Sequence, residues 1–179
     1  MVVRSGPTVN SRWSGARVVE MTCLMPNLEL SFVTEPTIGS AVIRWFSHSN
    51  YSHIDIIVDG HRIGARSDKP VNGLTGVERR PIDYGTFSRD DRLLIPVDGP
   101  HELDALEWLF KQIGKPYDTT GLFASFLFDR PTPWRDESSW WCSELGMAYL
   151  EHAGIKPCRT PVNRITPNDL YLYAGAFAA

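Results

Sequence analysis

Strand-type patterning fills the first half of this chain and helix-type patterning the second, and that order restricts the fold more than any other feature. Strands first and helices after argue for an α+β fold, a curved antiparallel sheet with helices against it. Residues 28–33 (LELSFV) alternate apolar and polar as a half-buried strand does. Residues 54–58 (IDIIV) are rich in β-branched side chains, and Asp59-Gly60 joins them to 62–66 (RIGAR). Asp-Gly between two such runs is a strong hairpin signal. Residues 77–82 and 92–97 predict two more strands, and Pro96 weakens the last or puts it at a sheet edge. Residues 37–45 (TIGSAVIRW) predict a helix start or a buried turn, and Pro, Asn and Gly make 69–76 (KPVNGLTG) a loop.

Helix signals follow. In 101–113 (HELDALEWLFKQI) the side chains Leu103, Leu106, Leu109, Phe110 and Ile113 are expected on one buried face. Pro100 suits the first turn, Glu102 and Asp104 the positive end, and Gly114 the C-terminal cap. Residues 142–153 (CSELGMAYLEHA) predict a second helix closed by Gly154. Thr166-Pro167-Asn168-Asp169 predicts a third, with Thr166 as N-cap and Asp169 in the third position. The apolar run 122–128 (LFASFLF) is expected to pack on the sheet.

At 179 residues and 20.2 kDa the chain suits one domain, here taken as 21–179 after a loose polar leader, 1–20. A net charge of −3 with 42% hydrophobic residues excludes intrinsic disorder and argues against a dedicated nucleic-acid binder. The uncharged stretch 119–128 falls far short of a membrane-spanning segment. Arg4, Arg12 and Arg17 interrupt the first twenty residues without an apolar run, which is not a signal-peptide pattern. Three cysteines, Cys23, Cys142 and Cys158, include no C-x-x-C pair, so a reduced setting is expected. The expected location is cytoplasmic or phage-associated.

The sharpest chemical pair is Cys142 and His53. Cys142 stands where Trp140-Trp141 turns into a helix. A helix N-terminus favours thiolate, and its free N–H groups suit an oxyanion. His53 opens a strand, from which an imidazole can take a thiol proton and later give it to a leaving group. The bland alternative is a core cysteine and a hydrogen-bonded loop histidine. Cys23, His48, His53, Asp55, Cys142 and Cys158 are possible metal ligands, but they show no recurrent zinc spacing, and no metal is expected. No nucleotide-binding glycine motif is present, and no cofactor is expected.

The segment Gly114-Lys115-Pro116-Tyr117-Asp118, followed after a gap by Trp141-Cys142-Ser143-Glu144-Leu145, resembles the NlpC-type papain-like cell-wall peptidases, whose pattern is G-x-P-Y … D-C-S-G-L. Trp141 replaces the Asp of that pattern and Glu144 the Gly. The histidine precedes the cysteine here, on an S-H-x-x-I strand, which is similar to the circularly permuted branch containing the YiiX/YaeF-like proteins and the lecithin:retinol acyltransferases. The resemblance covers about residues 28–172. It implies a circularly permuted papain-like fold and a cysteine hydrolase of amide or ester bonds. The implied substrate is a peptide, a peptidoglycan fragment or an acyl group. Two other readings on the same fold are an acyl hydrolase or transferase and a non-catalytic binding module.

In that branch a polar group on the strand after the histidine strand orients the imidazole. A two-residue loop at Asp59-Gly60 places Arg66 opposite His53, and a three-residue loop places Ser67 there. Gly64 stands near where the branch carries Glu, and Asp68 reaches the ring if the strand bulges. The expected catalytic set is therefore Cys142 and His53 with Ser67 or Asp68. Arg66 is a candidate grip for a substrate carboxylate. By resemblance, Tyr117 lies near the cysteine and assists the oxyanion. Trp141, with Trp134 and Trp140, is expected to wall a groove or fill the core.

Overall fold

The computed structural model describes residues 26–68, 75–119, 137–156 and 165–179. Outside them lie the 1–20 leader, Cys23, most of the 69–76 loop, the 122–128 run, Trp134 and Cys158. The architecture is α+β. Five strands, β1 (Asn27–Thr34), β2 (His53–Val58), β3 (His61–Arg66), β4 (Gly76–Pro81) and β5 (Arg89–Pro96), form one antiparallel sheet in the order β4-β3-β2-β1-β5. Four helices accompany it among the described residues: α1 (Ile38–Ser47), α2 (Gly99–Gln112), α3 (Cys142–His152) and α4 (Pro167–Gly175).

The hairpin between β2 and β3 fixes the register that matters most. Asp59 (φ +48°) and Gly60 (φ +68°) are both left-handed, as a tight two-residue hairpin requires. Val58 therefore pairs with His61 and Ile56 with Ile63. This excludes the three-residue loop that would set Ser67 opposite His53. Pro96 ends β5 on the sheet edge, where its missing N–H is harmless.

Alternation sends Leu30, Phe32, Ile54, Ile56, Ile63 and Ala65 to one face, where they are buried with the helices. Helix α3 lies deepest, with its first nine residues buried. Gly146 lets α4 pack close on it, since a Cβ there would lie 3.0 Å from Leu170 Cδ2. Helix α4 begins with the expected capping box of Thr166 and Asp169.

Of the two readings of 37–45 the helix holds, and α2 differs from expectation. Residues 38–47 form a helix rather than a buried turn, because the Thr37 hydroxyl caps the Ser40 N–H at 3.1 Å. Its apolar side chains Ile38, Val42 and Trp45 are exposed, while Ser40 is buried. In α2 the buried residues are Ala105, Trp108, Leu109 and Gln112, whereas Leu103, Phe110 and Ile113 are exposed. Aromatic packing sets this rotation. Trp108 meets Trp140 edge-to-face at 5.5 Å and stacks on His152 at 4.5 Å. No helix among the described residues is long and apolar enough to cross a membrane.

Candidate active site

Strand period two carries His53 and Asp55 to the same side of β2, opposite the apolar core. There His53 Nε2 lies 2.8 Å from Asp55 Oδ1, and the Asp55 side chain is fully buried. Continuing the β2–β3 register sets Gly64 across from Asp55. A Cβ on Gly64 would lie 2.2 Å from Asp55 Oδ1 and 3.1 Å from His53 Nε2. The missing side chain thus makes the room in which the carboxylate meets the ring.

The second Asp55 oxygen accepts the Tyr84 hydroxyl at 3.0 Å and faces the Arg62 guanidinium at 3.6 Å. Tyr84 in turn accepts from Arg66 Nη1 at 3.0 Å. Arg66 also donates to Glu35 at 2.7 Å and to Asp68 at 3.0 and 3.2 Å. A chain of polar groups therefore runs from the imidazole through Asp55, Tyr84 and Arg66 to Glu35. Burial pushes the Asp55 carboxyl up, but His53 foremost, with Arg66 and Arg62, holds it at about 2. Burial, the largest influence, pushes the His53 imidazole down and Arg66 adds to that, but the Asp55 charge, the Cys142 charge and the Asp55 hydrogen bond together outweigh them, and the net shift is upward. Burial, then the Asp55 charge, raises Tyr84, which stays a neutral donor.

Backbone pairing brings the cysteine to the same place. Gly114 N–H donates to Val77 O at 2.8 Å and Val77 N–H to Lys115 O at 2.9 Å. Trp140 N–H then donates to Pro116 O at 3.1 Å, and Asp118 N–H to Trp140 O at 3.0 Å, which bridges Tyr117 to Trp140. A Cβ at Gly76 would lie 2.1 Å from Lys115 O, so this ladder also depends on a glycine. Two residues beyond Trp140, Cys142 opens α3. Its N-cap, Trp141, makes no side-chain cap hydrogen bond, unlike Thr37, Asp98 and Thr166 on the other helices. The first-turn N–H groups of α3 keep their positive end without a side-chain acceptor at the cap.

Cys142, His53, Tyr117, Arg66, Ser67 and Asp68 line one cleft of about 220 Å³. Glu35, Thr37, Ser40 and Ser52 add polar walls. Cys142 is a buried free thiol, and no direct hydrogen bond joins it to the His53 ring. With Nε2 held by Asp55, Nδ1 is the ring nitrogen left for proton exchange. Burial, and then the Cys142 charge, raises the pKa of Tyr117, so its hydroxyl remains a donor.

Several expected roles change. The group on the imidazole is Asp55, on the histidine's own strand, and not a residue of 62–68. Ser67 and Asp68 line the cleft, but Asp68 is bound to Arg66. Arg66 is held by three partners rather than left open for a carboxylate. Trp141 does not line the cleft; its indole N–H donates to Ser143 Oγ at 3.1 Å. Trp140 fills the core. Asp55 was visible only as one member of a diffuse metal-ligand set, although H-x-D on a strand already places both groups on one face. Tyr84 and Glu35 carry no sequence signal, because their roles depend on β1 pairing with β2 and on the segment between β4 and β5 reaching back to Asp55. Among the described residues no group of three or more His, Cys, Asp or Glu side chains is arranged to hold a metal ion. Comparison with known protein families and with curated proteins finds no match to this chain.

Proposed function

We propose that the protein is a cysteine hydrolase of amide or ester bonds, built as a circularly permuted papain-like fold, and that its substrate is a cell-wall peptide. The observation that carries the proposal is the His53–Asp55 hydrogen bond of 2.8 Å, in a cleft shared with a cysteine at a helix N-terminus. His53 takes the thiol proton of Cys142, and the thiolate attacks the substrate carbonyl. The Cys142 N–H and the Tyr117 hydroxyl receive the oxyanion. Collapse breaks the carbonyl–nitrogen or carbonyl–oxygen bond, and His53 returns the proton to the leaving group. Water, deprotonated by His53, then hydrolyses the thioester and restores the thiol. Asp55 keeps the proton on Nε2 and stabilises the imidazolium. The polar walls of the cleft favour a peptide over an acyl chain.

One observation favours a second reading, a binding module that keeps the groove without turnover: thiol and ring share the cleft without a hydrogen bond. Iodoacetamide labelling against pH separates the two. An activated Cys142 reacts well below the free-thiol value of about 8.5, and His53→Ala removes that enhancement. Labelling that follows an ordinary thiol in both proteins would overturn the enzymatic reading. Mass spectrometry then distinguishes substrates: cleavage of stem peptides supports the peptidase, and a Cys142 adduct from ester probes alone supports an acyl hydrolase or transferase.

A further inference from the structure

At the far end of β2 from His53, the Asp59-Gly60 turn, α2 and α3 enclose a second cavity of about 300 Å³. Five residues of strand separate the two ends, roughly 17 Å, so this cavity is independent of the cleft. Two carboxylates on its wall, Asp59 and Glu102, have no cationic partner among the described residues. A third, Glu29, is held at the rim by Arg92 at 2.8 Å. Leu106 and Phe110 form an apolar side.

Tyr149 is the informative residue. It lines the cavity, its exposure is 1%, and its hydroxyl has no hydrogen-bond partner among the described residues. The hydroxyl is the part of this buried side chain that opens on the cavity, and with no partner among the described residues it is left to bond an occupant. Burial, then the Glu102 charge, raises its pKa and keeps it neutral, able to accept as well as donate. Negatively charged hydrogen-bond acceptors beside an aromatic and aliphatic wall select a positive head on an apolar stem. The size suits a ligand of small-molecule dimensions.

We propose that this cavity binds a small organic cation, an ammonium or guanidinium group on an apolar stem. The site does not use Cys142, His53 or Asp55 and stands whether or not the cleft is catalytic. Calorimetric titration of the whole protein with benzylammonium tests it, with benzyl alcohol as the uncharged control. Saturable binding of benzylammonium is expected at about millimolar concentration, with none for the alcohol. Glu102→Gln should weaken binding about tenfold, the scale of one charge-assisted hydrogen bond. Tyr149→Phe removes a hydroxyl that holds nothing in the protein, so it should fold normally and bind about threefold more weakly. Parallel titrations with n-butylammonium and with Nα-acetyl-lysine amide tell a free amine from a lysine side chain. Equal affinity for benzylammonium and benzyl alcohol, no saturation, or an unchanged affinity in Glu102→Gln would each overturn the proposal.

Discussion

On the helix side of the sheet, Leu30, Phe32, Ile54, Ile56, Ile63 and Ala65 are buried against α3 and α4. On the opposite side, Ser31, His53, Asp55, Arg62, Arg66 and Arg80 are buried to the same degree. The two faces come from the same strands, one residue out of phase. The apolar face is stabilised by area removed from water, a non-directional gain of roughly 25 cal/mol per Å². The polar face loses hydration and must recover it through directed partners. Arg62 shows how fully it does so: it donates to Ser31 at 2.6 Å and to Ile82 O at 2.8 Å, pairs with Asp90, and lies over the Phe87 ring at 4.7 Å. Buried ion pairs add little net stability compared with apolar groups of the same size, but removing one partner is costly. The polar face therefore contributes orientation more than stability, and the oriented object is the imidazole.

The largest break in this comparison comes from Asp55→Asn, which keeps the shape and removes the charge. Hydrolysis, or ester-probe labelling of Cys142, should fall about a hundredfold or more, the scale of a disabled general base. Stability should fall by about 3 kcal/mol at neutral to mildly acidic pH, because His53, Arg62 and Arg66 lose a buried counter-charge. The pH dependence has a definite sign. The folded value of His53 is raised, so its stabilisation is complete below about 6.5 and is lost as pH rises through that raised value. The folded value of Asp55 is about 2, against an ordinary 3.8, so its stabilisation is present above 3.8 and is lost as pH falls toward 2. The gap in melting temperature between wild type and variant should therefore be widest from about pH 4 to 6.5 and narrow on both sides. A gap that is flat with pH would detach the pair from the fold's stability.

A paired test sharpens the contrast, since each face carries one glycine under close contact. At Gly64 an added Cβ meets Asp55 Oδ1 at 2.2 Å, a carboxylate fixed by His53 and Tyr84. Gly64→Ala should cost about 1–3 kcal/mol and lower activity at least tenfold, because the clash is resolved by breaking the bond to the ring. At Gly146 an added Cβ meets Leu170 Cδ2 at 3.0 Å, the far end of a flexible side chain. Alanine gains about 1 kcal/mol of helix propensity there, so Gly146→Ala should change stability by less than about 1 kcal/mol and leave activity unchanged. Urea unfolding and probe labelling of both variants read this out. A benign Gly64→Ala would mean that the room over β3 is not what seats Asp55.

The apolar face was open to sequence reasoning and the polar face was not. Alternation in 28–33 and 54–58, the Asp59-Gly60 turn and the Thr166 capping box each depend on neighbours in the chain, and each forms. The rotation of α2 depends on Trp108 meeting Trp140 and His152 from distant segments, and the leucine pattern misleads. The third polar member shows the same limit. A family pattern directs attention across the hairpin to Gly64 and Asp68, while the register that sets Gly64 opposite Asp55 exists only once the sheet has formed. Cys142, His53 and Tyr117 were legible as separate residues. Their shared cleft rests on the backbone ladder from Val77 through Lys115 to Trp140, which pairs distant segments of the chain.

The smallest effect should come from Asp68→Asn, and it discriminates most sharply between two assignments of the orienting group. The Asp68 side chain is 57% exposed and reaches the cleft only through Arg66. Arg66 keeps Glu35 at 2.7 Å and Tyr84 at 3.0 Å without it. A half-exposed pair of this kind contributes about 0–1 kcal/mol. Asp68→Asn should therefore shift stability by less than about 0.5 kcal/mol and activity by less than about twofold, with the pH profile of Cys142 labelling unchanged. A tenfold loss with a displaced profile would move the orienting role from the histidine's own strand to the segment after β3. The polar face would then serve only to fill space beneath a site organised from the loop.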